Sequence, residues 1–520
     1  MSEQVSFLAA IEVGSHEAIL KIAQVLTNGN ISEVESMSRT INLGSNSYRL
    51  GYITKDNVDL LIDTLKDFRR IISMYPEIEV IAACTSAIRE ADNRLFILDQ
   101  IRRQTGFKIE IYSNRMEIDG MLKAIRLKMP EFDQLTKDLT LLLDIGAGST
   151  QLTLFDDQEF TFTQNILLGS LRVRDRLAIL EQHTADFINL MQEYISGDID
   201  YYRSFVPKRT NYQHFVLVGN DLDTWRYLAN LPFVGTAKLT VEKFNELFNI
   251  IIQSSSLELI HKFDINEEQA SLLLPVAMVI KELFEFTGLE YLVMPEAILS
   301  DGLIVKLAQD LNLIEQDSRS IQDTISFAKQ IVKRFHPDFK HIEQVERLSL
   351  QLFDQLQKLH GLSKRQRFLL QIAANLHNIG KFFSVKQDDE MAYQMIKSSD
   401  LVGLTDQEIE MIALLVKHHN DDFFTLAAVN PQLSPEDQVD FVKMVVLLSM
   451  ANTLDTGHLS KIKNIRTDRH KRHIKVKLES NKDLTLESWS FQKPAQAFQE
   501  IFGTELRLSV VPVGELELNK

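Results

Sequence analysis

The stretch LTLLLDIGAGSTQLTLF, residues 139–155, decides the fold class. Leu139 to Asp144 is a continuous apolar run of strand length that enters the loop Gly146-Ala147-Gly148-Ser149-Thr150, and Gln151 to Phe155 resumes as a strand. Phe160 to Ile166, beyond the polar turn Asp156-Asp157-Gln158-Glu159, completes a hairpin. The same theme occurs earlier. FLAAIEVGSHEAILKIAQV, residues 7–25, reads as a strand, a tight turn at Gly14-Ser15-His16 and a returning strand, with another turn at Asn28-Gly29-Asn30. The two halves read as divergent copies of one α/β unit.

Working outward from the first copy, helices are expected around Asn57–Ile72, Asn93–Thr105 and Met116–Lys128, with strands at Glu79–Cys84 and Lys108–Tyr112. The polar region Pro130–Asp138 separates the copies, and the second ends with helices and one more buried strand at Phe215–Gly219. From about Asp310 to His458 the periodicity is helical with no convincing strand, which predicts a separate all-helical domain. Towards the end, His473, Lys475 and Lys477 alternate with Ile474, Val476 and Leu478, and Leu506–Val513 is largely apolar, so a small α+β domain closes the chain. The expected divisions are 1–128, 129–309, 310–460 and 461–520.

At 520 residues the chain is too long for one compact domain, and 45% hydrophobic with 25% charged residues excludes a disordered or fibrous class. A formal charge of −16 argues against diffuse nucleic-acid binding, so any polyanion must meet a local basic site. The single cysteine, Cys84, excludes an intrachain disulfide and a four-cysteine zinc site and fits a reducing compartment. The first ten residues lack a basic signal-peptide region, and the longest apolar runs, Leu272–Ile280 and Met444–Met450, are shorter than a membrane span. A soluble cytoplasmic protein with no nucleic-acid and no membrane partner is the expectation.

A glycine loop at a strand end aims backbone N–H groups outward, and the missing Cβ atoms let a phosphate approach closely. Gly14-Ser15 and Gly146-Ala147-Gly148-Ser149-Thr150 fit that pattern, with Glu12 and Asp144 placed to hold a divalent cation directly or through water. The plain alternative is a pair of tight hairpin turns. Thr85 to Asn93 follows a strand; Ser86 and Arg89 there could grip phosphate oxygens, or Thr85 and Ser86 could simply cap a helix.

The order and spacing of these segments resemble the exopolyphosphatase and guanosine pentaphosphate phosphatase family, whose patterns are D-x-G-S-N-S, T-S-A-x-R-x-A-x-N, S-G-x-E-E-A and D-I-G-G-G-S-T-E. Here they stand as Glu12 to His16, Thr85 to Asn93, Ser113 to Ile118 and Asp144 to Gln151, and Leu168-Gly169-Ser170-Leu171-Arg172 is similar to the family's L-G-x-x-R step. The resemblance implies an α/β fold of the two-lobed type shared by acetate and sugar kinases, heat-shock chaperones and actin, followed by a helical HD-like domain. It implies hydrolysis of terminal phosphate from inorganic polyphosphate, or of guanosine pentaphosphate, with magnesium or alternatively manganese, in a homodimer.

Under that resemblance Glu117 activates the attacking water. Gly14, Ser15, Ser86, Arg89, Gly146, Gly148, Ser149 and Thr150 bind phosphate, and Glu12, Asp144 and Gln151 organise the cation. The chain departs from the patterns at Glu12, His16, Asn114, Met116, Ala147 and Gln151, and near Gly219 only that glycine of a later loop survives. Those departures keep open a regulatory protein that senses polyphosphate or a guanosine alarmone. A sugar-kinase-like or chaperone-like ATPase fits less well, because Thr85 to Asn93 points elsewhere. In the helical region His341, His377-Asn378 and Asp455 are similar to an HD phosphohydrolase, but Asn378 removes the central anionic ligand, so buried scaffold histidines are expected rather than a working metal site. Arg466, Arg469, Lys471 and Arg472 belong to a basic cluster that would guide a polyanion or form an ordinary solvated face.

Overall fold

The structure, a computed structural model, describes residues 5–181, 183–184, 186–204, 211–219, 222–315, 318–335, 338–421, 433–470 and 473–515. The chain forms two compact units, Met1–Thr324 and Ile325–Lys520.

The first unit holds two sheets. In the first, β1 (Ser6–Val13), β2 (Glu17–Val25), β3 (Ile31–Thr40), β4 (Glu79–Cys84) and β5 (Glu110–Ile111) lie in the order β3-β2-β1-β4-β5. β1 pairs antiparallel with β2 through a tight turn, and parallel with β4, so the apolar β1 is central and buried. The second sheet contains β6 (Thr140–Ile145), β7 (Thr150–Asp156), β8 (Glu159–Ile166), β9 (His214–Val218), β10 (Ala237–Thr240) and β11 (Tyr291–Met294). Its order is β8-β7-β6-β9-β11-β10, with β6 antiparallel to β7 and parallel to β9. It therefore repeats the first sheet and adds one antiparallel edge strand. This duplicated order gives the first unit two equivalent lobes.

Three of these strands go beyond the sequence reading. β3 is polar, largely exposed and at a sheet edge, so it carries no apolar alternation. β10 and β11 are four residues each, too short for a periodic signal.

In each lobe the third strand leads to a helix that closes the hairpin loop. The Gly44 amide, in helix Leu43–Leu50, donates to the Ser15 carbonyl at 2.8 Å, and the Ser170 and Leu171 amides, opening helix Ser170–Glu181, donate to the Gly146 and Ala147 carbonyls at 3.1 Å. A Cβ at Gly169 would overlap the Ala147–Gly148 backbone, so this close seat requires glycine. Helices Asn114–Lys128 and Leu299–Asp310 meet at Gly120 and Gly302, where a Cβ on Gly302 would overlap the Gly120 carbonyl. The buried Lys21 ammonium anchors the second of these helices, donating to Asp301 at 2.6 Å and lying 3.1 Å from Glu33.

The second unit is helical up to Thr453 among the described residues, and then forms a three-stranded sheet of β12 (Asn464–Arg469), β13 (His473–Glu479) and β14 (Glu505–Val511) in that order. β13 has the expected alternation: Ile474, Val476 and Leu478 are buried, and His473, Lys475 and Lys477 are partly exposed. β12 had no such signature, because its residues are mostly polar. No described helix is long and apolar enough to cross a membrane.

Candidate active site

The turn between β1 and β2 is closed by the Gly14 amide donating to the Glu17 carbonyl at 2.8 Å, and that between β6 and β7 by Gly146 donating to Ser149 at 2.9 Å. These equivalent loops face each other across one cavity of about 80 Å³. Glu12, Gly14, Ser15, Ser86, Glu117, Asp144, Gly146, Gly148, Ser149 and Gln151 all line it. A space of that size holds a phosphoryl group or several waters.

Three carboxylates share this cavity. Glu12 is buried at the end of β1, and its Oε2 accepts the Ser300 amide at 2.9 Å from the first turn of helix Leu299–Asp310. Asp144, near the end of β6, is pushed up to about 7 by burial and by the negative charges of Glu117 and Glu12. Glu117 lies in the first turn of helix Asn114–Lys128; burial raises its carboxyl above the usual range, and Arg89 opposes that rise.

Among the described residues, no three His, Cys, Asp or Glu side chains converge as a complete metal cage. Magnesium does not need one. It is commonly held by one or two carboxylates together with waters and substrate phosphate oxygens. Crowded carboxylates, among which burial and then the charges of Glu117 and Glu12 raise Asp144, fit such a cation. Gln151 donates its Nε2 to Thr163 Oγ1, and Thr163 Oγ1 lies 3.0 Å from Thr153 Oγ1. Gln151 thus lines the cavity with its amide anchored through Nε2.

Two residues are placed differently from the sequence reading. Thr150 is buried behind the loop and gives its hydroxyl proton to the Leu168 carbonyl at 2.8 Å, so it is not available to phosphate and is withdrawn from the phosphate-binding set. Arg89 pairs with Glu117, donates to Asn114 Oδ1 at 2.6 Å and also donates to the Tyr112 carbonyl. Its guanidinium is held on protein groups beside the cavity. His16 lines the cavity but turns Nδ1 towards Asn42 Oδ1 at 2.9 Å and Glu268 Oε1 at 3.1 Å.

Sequence reasoning did not select Asn165, Ser300 or Tyr48. Asn165 lines the cavity from β8 opposite Gln151, a register that strand pairing alone reveals. Gly219 follows β9 with φ +146°, while Asn220 and Asp221 of the later loop lie outside the described residues.

In the second unit, His341 Nδ1 lies 2.8 Å from Asp455 Oδ2, its Nε2 is 3.3 Å from His377 Nε2, and His377 Nδ1 donates to the Ala374 carbonyl at 2.8 Å. The HD-like positions thus meet, but their nitrogens are engaged with one another and with backbone. At the C-terminal sheet, Asp468 stands 3.9 Å from Arg466 and 2.6 Å from Lys477, so part of the basic cluster is neutralised internally. Arg469 is exposed, and Lys471 and Arg472 lie outside the described residues.

Against known proteins, the family model described as the Ppx/GppA phosphatase family matches residues 21–311, and the model for domain III of that phosphatase matches residues 325–493. A bifunctional 3-dehydroquinate synthase/phosphatase of Fusobacterium nucleatum is 22% identical over 55% of this chain, which spans 44% of that longer protein. A guanosine-5'-triphosphate,3'-diphosphate pyrophosphatase of Aeromonas hydrophila is 21% identical over 80% of this chain and 81% of its own length. Among solved structures, an exopolyphosphatase from Cytophaga hutchinsonii is 20% identical with a TM-score of 0.53, covering 60% of this chain and 99% of that one. The likeness to that structure bears on the fold.

Proposed function

Because the chain belongs to the Ppx/GppA phosphatase family, we propose that it is an exopolyphosphatase, removing terminal orthophosphate from inorganic polyphosphate with a divalent cation, magnesium or alternatively manganese. The carrying observation is the single cavity in which two equivalent glycine loops face three carboxylates.

The terminal phosphoryl group enters between the loops, where Ser15, Ser86 and Ser149 offer hydroxyl donors and the loop glycines allow close backbone approach. Glu12 and Asp144, with the Gln151 carbonyl, would hold the cation, which supplies charge neutralisation for the phosphoryl oxygens. Glu117 accepts a proton from water as the water oxygen bonds to phosphorus, and the bridging P–O bond breaks with its electron pair leaving on the shortened chain. A carboxyl raised above its ordinary value is a stronger base for that step. Arg89 starts on Glu117, so incoming phosphate oxygens compete for the guanidinium and release the base as substrate arrives. Action in the cytoplasm as a homodimer belongs to the same proposal.

Guanosine pentaphosphate is the competing substrate, favoured by the name of the Aeromonas relative. Orthophosphate release from each substrate, with magnesium and with chelator, tests the reading. Faster cation-dependent release from polyphosphate supports it. Preference for the nucleotide moves the substrate assignment, and binding of either without release supports the regulatory alternative.

A further inference from the structure

Helix Leu43–Leu50, which closes the first loop, carries Tyr48 against two serines of the cavity lining. The Tyr48 hydroxyl lies 2.5 Å from Ser15 Oγ and 2.8 Å from Ser86 Oγ, and the two serine oxygens are 3.1 Å apart. Three hydroxyls from three separate segments therefore form a closed triangle. Both serines line the cavity, whereas Tyr48 is not among its lining residues and contacts them through its hydroxyl.

The other lobe locks the tyrosine in place. The Arg172 guanidinium stacks over the Tyr48 ring at 3.9 Å, donates twice to Glu90 at 2.7 and 2.8 Å, and donates to the Gly148 carbonyl at 2.6 Å. A Cβ on Gly148 would overlap both the Tyr48 hydroxyl and Ser86 Oγ, so the loop presses directly on the triangle.

Proton counting gives the consequence. Three hydroxyls own three protons, and the closed triangle can spend all of them internally. When an anion occupies the cavity, each serine must turn its proton towards it and retain lone pairs for an internal donor. Tyr48 remains as that donor, with one proton for one serine at a time. Burial also pushes its phenol up, which keeps that proton in place.

We propose that Tyr48 is a positioning residue for phosphate, acting through Ser15 and Ser86 by donating its proton to one of them at a time, which leaves that serine's own proton for the cavity. This deepens the proposed function and rests on the cavity being a phosphate site. Calorimetric titration with inorganic orthophosphate, which is not turned over, tests it in the wild type, Tyr48→Phe, the Ser15→Ala/Ser86→Ala pair and the triple variant. Phenylalanine keeps the ring beneath Arg172, and thermal unfolding monitors the fold.

The expected result is about fivefold weaker binding in Tyr48→Phe, the equivalent of ~1 kcal/mol, and no further loss when that change joins the serine pair. In polyphosphate turnover the same variant raises KM and leaves kcat close to wild type. Unchanged phosphate affinity in Tyr48→Phe overturns the proposal, as does an equal loss in the serine-free background, which would show a packing effect. Absence of orthophosphate binding by the wild type overturns it as well. Phosphate binding that depends on Tyr48 without hydrolysis of either substrate would instead refute the hydrolase reading and leave this inference standing.

Discussion

A methyl group added at Gly302 tests how the helix pair holds the site. Helix Leu299–Asp310 gives the Ser300 amide to Glu12, and helix Asn114–Lys128 carries Glu117 one turn before Gly120. In Gly302→Ala the new Cβ would lie about 1 Å inside the closest approach of real Cβ atoms to the Gly120 carbonyl oxygen, a backbone atom that cannot swing away. The helices must separate by a comparable amount, which moves Glu117 relative to Glu12. Overpacking of this kind costs about 1–3 kcal/mol of stability, and a misplacement of about 1 Å at a reacting group costs on the order of 100-fold in rate. The assay is kcat/KM for orthophosphate release alongside thermal unfolding. A variant with wild-type rate and unfolding temperature would refute the argument that this crossing sets the catalytic geometry.

Two further predictions concern stability. Lys21→Met removes the 2.6 Å partner of the buried Asp301 and leaves Lys128 3.5 Å away, so a loss of about 3 kcal/mol is expected from urea unfolding; a midpoint unchanged from wild type would contradict it. In the second unit, burial pushes His419 down to about 4 and His377 well below its ordinary value. Unfolding returns each imidazole to about 6.5, so the unfolded state binds more protons below that pH. Stability from these neutral rings is fully present above about pH 6.5 and falls as pH drops towards 4, by about 3 kcal/mol for His419 alone. Urea unfolding of the full chain across that range should show the slope, and His419→Gln should flatten it; an identical slope in that variant would contradict the assignment.

The sequence made the central strands legible because β1 and β6 are apolar, bounded by glycine loops and followed by returning strands. Strands at the sheet edges were silent: β3 has no buried face to alternate against, and β10 and β11 are too short. Within the site, residues at the loops and strand ends were readable, since their neighbours in sequence are their neighbours in space. Asn165 reaches the same cavity only through strand register, and Tyr48 and Ser300 touch its lining residues Ser15, Ser86 and Glu12 only through tertiary packing. The rotation of Thr150 towards Leu168 and the capture of Arg89 by Glu117 and Asn114 depend on side-chain partners that no local pattern specifies.

The most direct measurement is orthophosphate release from long-chain polyphosphate by the wild type beside Glu117→Gln, with binding followed in parallel. The account predicts release by the wild type, a fall of at least about 100-fold in the variant through loss of the base, and polyphosphate binding as tight or tighter, because Arg89 loses its anionic partner. Equal rates in the two proteins, or no release by the wild type, would contradict it.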